Sequence, residues 1–208
     1  PFDLDREMMP ISGTDIRENL IKHWDMLPGC THGYFAKRVC MFGPESTGKS
    51  TLTRILAEKF KTVYAWEHAR ALLDPNGGAC EESDIPLIAR AQLSLEAAML
   101  GSVNRVLFCD TNLLMTVIWS EVLFGSCPDW IRAAAAHQHY DLTLLLDVDV
   151  PWVDDDQRYF PGQDARVQFF ERCRAALEEK GDRYEIIRGD YPERLKLATA
   201  HVERLLTE

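Results

Sequence analysis

The chain alternates short, largely apolar runs with longer stretches whose apolar residues recur every three or four positions. The runs are "KRVCMFG" (37–43), "KTVYAW" (61–66), "RVLFCD" (105–110), "LTLLLDVD" (142–149) and "YEIIRG" (184–189). They are too short for buried helices and hold β-branched or aromatic residues, so each reads as a strand. Segments 50–60, 83–103, 113–124, 129–139, 163–180 and 191–207 carry the helical period. Ser83 and Asp84 stand where a cap belongs, with Pro86 in the first turn that follows. Apolar runs without apolar/polar alternation are covered on both faces, which predicts a parallel sheet. The strand–helix rhythm from residue 37 onwards predicts an α/β doubly wound domain, a five-stranded parallel sheet with helices on both faces. Ligands in such sheets bind beyond the carboxyl ends of the strands. Residues 1–36 do not join the rhythm and read as an appendage, dividing the chain into 1–36 and 37–208.

Length and composition narrow the class. A chain of 208 residues buries one real core, and contents of 46% hydrophobic and 27% charged residues are those of a globular protein. The net charge of -10 argues against a nucleic-acid partner. Six cysteines, at 30, 40, 80, 109, 127 and 173, form no CxxC pair and no metal-ligand spacing. They read as reduced thiols. The start, "PFDLDREMMP", is no signal peptide, and no run nears the roughly 20 apolar residues of a membrane span. A cytoplasmic protein with no membrane partner is expected. The oligomeric state is left open, a homo-oligomer included.

The first run is followed by "GPESTGKST", that is Gly43, four residues, Gly48, Lys49 and Ser50. This is the GxxxxGK[ST] phosphate loop between a strand and a helix, the context it requires. Backbone N–H groups from Gly43 through Glu45, Ser46, Thr47, Gly48, Lys49, Ser50 and Thr51 close around phosphate oxygens. Lys49 reaches the β/γ oxygens and Ser50 holds Mg²⁺. ATP and Mg²⁺ are therefore the expected cofactors. There is no NKxD-type guanine signature, and the third strand ends in "FCDTN" rather than in the paired acids of motor ATPases. A small-molecule kinase fits best.

Further candidates stand at the other strand ends. In "WEHAR", Glu67 and Arg70 are i and i+3, on one face if the segment is helical. Such a pair can take a substrate hydroxyl proton and orient the acceptor. Asp110 ends the third strand beside the loop, where it serves as Mg²⁺ ligand, as base, or as cap of the next helix. Gln92, between apolar neighbours in a helix, is a ligand contact or exposed filler. After the fourth strand comes "DVPWVDDDQRYFPG", with Trp152, Asp154, Asp155 and Asp156. Nucleotide kinases carry a lid here, and Arg158 and Arg166 are its cations.

"GPESTGKSTL", "EHAR", "DIPLIARAQ", "CDTN" and "DVPWVDDDQR", in this order and spacing, resemble the ribosylnicotinamide kinase domain of NadR-type bifunctional proteins over about residues 37–205. "ISGTDIREN" (11–19) resembles the ISxTxIR signature that closes an NMN adenylyltransferase domain. The HxGH motif of that activity is missing, so residues 1–36 are expected to be only its tail and linker. The resemblance implies ATP-dependent phosphorylation of the 5′-hydroxyl of nicotinamide riboside, giving NMN and ADP. It makes Lys49 the transition-state cation, Ser50 the Mg²⁺ ligand, and Glu67 or Asp110 the base or ribose-hydroxyl ligand. Arg158 and Arg166 become the lid cations. Two positions depart from the family pattern: His68 in place of an aromatic, and Asp156 where glycine is common. Nicotinamide riboside is a cation, so Trp66, Trp119, Trp152 or Tyr159 can stack on it, and carboxylates favour it over neutral nucleosides. Tyr191, in "RGDYPER", is the candidate for adenine recognition. The rival readings are a P-loop kinase for another nucleoside or small molecule, and a non-catalytic sensor of NAD metabolites.

Overall fold

A computed structural model describes residues 11–153, 159–160 and 162–208. Asp154, Asp155, Asp156 and Arg158 lie outside the described residues. The elements run α1 (Gly13–Glu18), α2 (His32–Phe35), β1 (Lys37–Phe42), α3 (Lys49–Phe60), β2 (Tyr64–Ala65), α4 (His68–Leu73) and α5 (Ile85–Met99). They continue with β3 (Val106–Asp110), α6 (Leu113–Phe124), α7 (Asp129–His137), β4 (Leu142–Leu146), α8 (Gln163–Lys180), β5 (Tyr184–Ile187) and α9 (Tyr191–Leu205).

The five strands form one parallel sheet in the order β2-β3-β1-β4-β5. Its apolar runs hide the strand period of two, because each face has its own core. Cys40 and Phe42 of β1, Leu107 and Cys109 of β3, and Leu145 of β4 pack on one side against Met115 and Ile118 of α6 and Phe169, Cys173 and Leu177 of α8. Val39 and Met41, Val106 and Phe108, and Leu142, Leu144 and Leu146 pack on the other against α3 and α9. A third cluster joins α5, α6 and α7 through Ile85, Ala89, Leu113, Val117 and Ile131.

Several boundaries move. β2 shrinks to two residues, being an edge strand paired only with β3. β4 ends at Leu146 rather than near Asp149, since the Asp147 carboxylate accepts the Val148 N–H at 2.6 Å and turns the chain. α5 begins at Ile85, because residues 82–84 form a 3-10 turn closed by a reciprocal Glu81–Asp84 capping box. The cap is thus Glu81, one turn before the observed helix start and not the expected Ser83 or Asp84.

The segment before β1 packs on the sheet domain. Trp24 is 1% exposed within the same core as Cys40 and Phe42 and stacks on His32 at 4.4 Å. Arg105 ties the segment down, donating to the Ile21 carbonyl at 3.3 Å and pairing with Asp25 at 3.1 Å. α1 buries none of its residues. All six cysteines are unbridged. Among the described residues, no helix is long and apolar enough to cross a membrane.

Candidate active site

β1 and β3 lie side by side with Met41 opposite Asp110. The loop leaving β1 therefore starts next to the acid ending β3. Gly43 has φ 129°, and a Cβ there would lie 2.7 Å from the Leu146 carbonyl oxygen, so the first turn admits only glycine. Ser46 (φ 56°) and Gly48 (φ 85°) bend the loop further in the left-handed region. Gly48 caps α3 without a side chain, leaving the first N–H groups of that helix to an anion. Lys49 reaches back over the loop and donates from Nζ to the carbonyls of Gly43 (2.9 Å) and Pro44 (2.7 Å). The Thr47 hydroxyl donates to the Pro44 carbonyl at 2.9 Å.

Asp110 is 2% exposed. Burial, with the Glu67 carboxylate adding to it, pushes its carboxyl up to about 6, while the Ser50 hydroxyl, Lys49 and Arg70 favour the ionised form. Its Oδ1 is buried with no hydrogen-bond partner among the described residues. The helix-capping role the sequence allowed for Asp110 belongs to Asn112, whose side chain accepts the Met115 N–H at 3.1 Å. Between them Thr111, a β-branched residue at φ 68°, holds strained backbone fixed by its N–H to the Met41 carbonyl at 3.1 Å.

A cavity of about 390 Å³ opens from the phosphate loop towards α4, α5 and α6. Loop residues from Glu45 to Thr51 form one wall, and Glu67, Arg70, Gln92, Thr116, Trp119 and Tyr159 stand among the others. "WEHAR" is helical from His68 on, and Glu67 pairs with Arg70 at 3.4 Å. Gln92 is 3% exposed and accepts the His68 N–H at 3.2 Å, so it is a wall residue and not filler. Of the four candidate aromatics, the cavity takes Trp119 and Tyr159. Their ring centres are 5.7 Å apart, and Phe160 stacks on Trp119 at 5.6 Å. Trp66 is exposed, and Trp152 lies under the Arg166 guanidinium at 5.6 Å.

The segment after β4 is fastened to the phosphate loop on both sides of residues 154–158. The Ser46 hydroxyl accepts the Val153 N–H at 2.8 Å, and the Glu45 carboxylate accepts the N–H groups of Tyr159 (3.0 Å) and Phe160 (3.4 Å). Burial pushes the Glu45 carboxyl above its usual range, with Tyr159 N–H and Lys49 opposing it. The Tyr159 hydroxyl continues the link, donating to the Gly78 carbonyl (3.0 Å) and accepting from the Cys80 N–H (3.2 Å). Arg166 departs from its expected place on the phosphates. It is 2% exposed and donates to the Val150 and Ser46 carbonyls and to Gln163, at the base of the segment.

Tyr191 packs over Gly48 and lines a second, almost wholly apolar cavity of about 310 Å³ with Ile55, Leu146 and Pro192. Sequence reasoning missed Arg194 beside it. Arg194 is buried, donates to the carbonyls of Thr47, Asp147 and Gly189 at 2.8 Å each, and pairs with Asp149. The signal was present: an arginine one turn into a helix, facing two aspartates at the end of a neighbouring strand. Also missed as cavity walls were Thr116 and Met115, which an apolar helix following "CDTN" does not mark out.

A family model described as "AAA domain" matches residues 38–194. The trifunctional NAD biosynthesis/regulator protein NadR of Escherichia coli (strain K12) is 30% identical over 211 residues, covering 99% of this chain and 52% of that protein. The chain thus spans about half the length of the curated relatives it matches. Among solved structures, a NadR protein in complex with NR superposes with a TM-score of 0.84 at 26% identity, over 98% of this chain and 61% of that one. A NadR protein in complex with NAD and AMP-PNP gives 0.78 at 24% identity, over 98% and 59%.

Proposed function

The chain belongs to the AAA domain family, and from that premise we propose that it is an ATP-dependent kinase phosphorylating the 5′-hydroxyl of nicotinamide riboside, giving NMN and ADP. One observation carries the proposal. A single cavity is lined at once by the phosphate loop, by the Glu67–Arg70 pair and by the aromatic faces of Trp119 and Tyr159. Donor phosphates and an aromatic, cationic acceptor then meet in one space. The likeness to NadR, including the form bound to NR, supports this choice of acceptor.

Phosphoryl transfer passes through a loose transition state, so catalysis rests on positioning and charge stabilisation. The loop N–H groups and the start of α3 hold the phosphates, and Lys49 offsets charge on the transferring group. The Ser50 hydroxyl and the Asp110 carboxylate, hard oxygens with Asp110 Oδ1 unpartnered among the described residues, suit Mg²⁺, which when bound neutralises charge on the phosphate oxygens. That role for Asp110 leaves Glu67, whose carboxylate faces the cavity beside Arg70, as the base for the acceptor hydroxyl. Trp119 and Tyr159 stack on the pyridinium, worth about 0.5–2 kcal/mol each. Tyr191 and the apolar cavity it lines receive the adenine. The Glu45 and Ser46 bonds hold the lid base over the loop and exclude water. Residues 1–36 are the tail and linker of a nucleotidyltransferase domain, and 37–208 the kinase.

Phosphate transfer from ATP to nicotinamide riboside, measured beside neutral nucleosides, tests the reading. Preference for the pyridinium riboside is expected. Preference for uridine or cytidine makes the protein a kinase of another nucleoside, and ATP binding without single-turnover ADP release makes it a sensor.

A further inference from the structure

Glu96 lies in the last turn of α5, 2% exposed, and does not line the cavity. Both of its carboxylate oxygens are used. They accept from the Tyr140 hydroxyl at 2.9 and 3.0 Å and from the Gln138 amide at 3.2 Å each, and one pairs with the Arg38 guanidinium. Arg38 also lies over the Tyr140 ring at 4.8 Å. Gln138 extends the network: its Oε1 accepts the Leu113 N–H at 3.1 Å, at the first residue of α6. Its carbonyl accepts from Lys180 at 2.7 Å, at the end of α8. One carboxylate therefore links α5, the start of α6, β1 and the connection into β4.

These elements carry the acceptor side of the cavity. Gln92 is one turn before Glu96 on the same face of α5, and lines the cavity while holding the His68 N–H. Met115, Thr116 and Trp119 line it from α6. Apolar packing alone would leave α5 free to rotate or slide by a fraction of an ångström. Directional bonds to two oxygens fix its rotation as well as its distance from α6. Burying a carboxylate with a guanidinium gains little stability over an apolar pair, so what it supplies here is geometry.

We propose that Glu96 is a positioning residue for the acceptor: through Gln138 it sets the spacing and rotation of α5 against α6, and thereby places Gln92 and Trp119 around the bound riboside. The proposal rests on the kinase reading above. Its test begins with the wild-type chain, whose best acceptor is established first and then used throughout. Glu96→Leu is expected to lower kcat/KM for that acceptor about tenfold or more, as small misplacements of a reacting group do. The dissociation constant for AMP-PNP should stay within about twofold, because the phosphate loop is untouched. Gln138→Leu, which cuts only the α5–α6 link, should show the same split and replaces Glu96→Leu if that variant fails to fold. Arg38→Met combined with Glu96→Gln removes the charges but keeps one acceptor oxygen for Tyr140 and Gln138 to share, and should restore acceptor kinetics. Wild-type acceptor kinetics in folded Glu96→Leu or Gln138→Leu, or equal losses for acceptor and nucleotide, overturn the proposal. Failure of the wild type to use nicotinamide riboside changes the acceptor and leaves this comparison intact.

Discussion

The Lys49 ammonium donates to the Gly43 carbonyl at 2.9 Å, closing the phosphate loop on itself. Both residues belong to the loop motif, and the bond shows why the lysine needs reach as well as charge. Lys49→Ala should lower kcat by about 10²–10³ or more, the scale for removing one transition-state charge donor. Its melting temperature should remain near that of the wild type. Steady-state kinetics alongside a thermal melt check this, and retained turnover would refute the assignment.

Asp110 gives a pH signature with a definite sign. Its carboxyl rises from an ordinary 3.8 to about 6 on folding, so the folded chain binds more protons than the unfolded one between those values. Its contribution to stability therefore falls as pH rises from about 4 to about 6, then levels off. Asp110→Asn should flatten that part of the stability-against-pH profile and melt higher at pH 7, while needing more Mg²⁺ for transfer. In the wild type, kcat/KM should climb through pH 6 as the carboxylate ionises. A rate flat between pH 5 and 7 counts against a role for the ionised form.

The two acids are separable by kinetics. Glu67→Gln should cost about 10²–10⁴ in kcat, the range for a general base, and leave AMP-PNP affinity unchanged. Asp110→Asn should shift the Mg²⁺ dependence instead. If Glu67→Gln turns over normally while Asp110→Asn loses kcat at saturating Mg²⁺, the roles are reversed.

Trp119→Leu should raise KM for nicotinamide riboside roughly tenfold, since about 1–2 kcal/mol of cation–π attraction is lost. KM for any neutral nucleoside used should change much less. A loss equal for both acceptors would mean that Trp119 only packs, on Phe160 and Phe169.

The strand count, the parallel sheet and the phosphate loop were legible because each rests on local rules: unbroken apolar runs, a glycine-bearing turn, a helix start. The same rules misplaced ends set by side chains from elsewhere, such as the Asp147 carboxylate that stops β4. The placement of a candidate was legible where it sits at a strand end, as Glu67 and Asp110 do. It was not legible where membership depends on tertiary placement. Arg166 looked like a phosphate cation and is a buried tie between the Ser46 and Val150 carbonyls. Glu96 and Gln138 are 42 residues apart, and no spacing along the chain announces that they meet.

The Arg194 clamp bears on stability as well. Arg194→Met should cost about 1–3 kcal/mol, because it leaves three carbonyls without a donor, while the exposed Asp149 turns to water and the Gly189 N–H. Denaturant unfolding measures this, and a loss below 1 kcal/mol would show that water takes over its bonds.

That clamp also divides the labour between the two halves of the cavity. One guanidinium ties Thr47 in the phosphate loop to the turns after β4 and β5, so the nucleotide meets a surface with little left to reorganise. On the opposite side α5 and α6 are tied through Glu96 and Gln138, whereas the remaining wall rests on single bonds to the Tyr159 hydroxyl and on the short helix α4. On the kinase reading, room for adjustment is left to α4 and the Tyr159 contact, beside an acceptor wall that α5 and α6 hold in place.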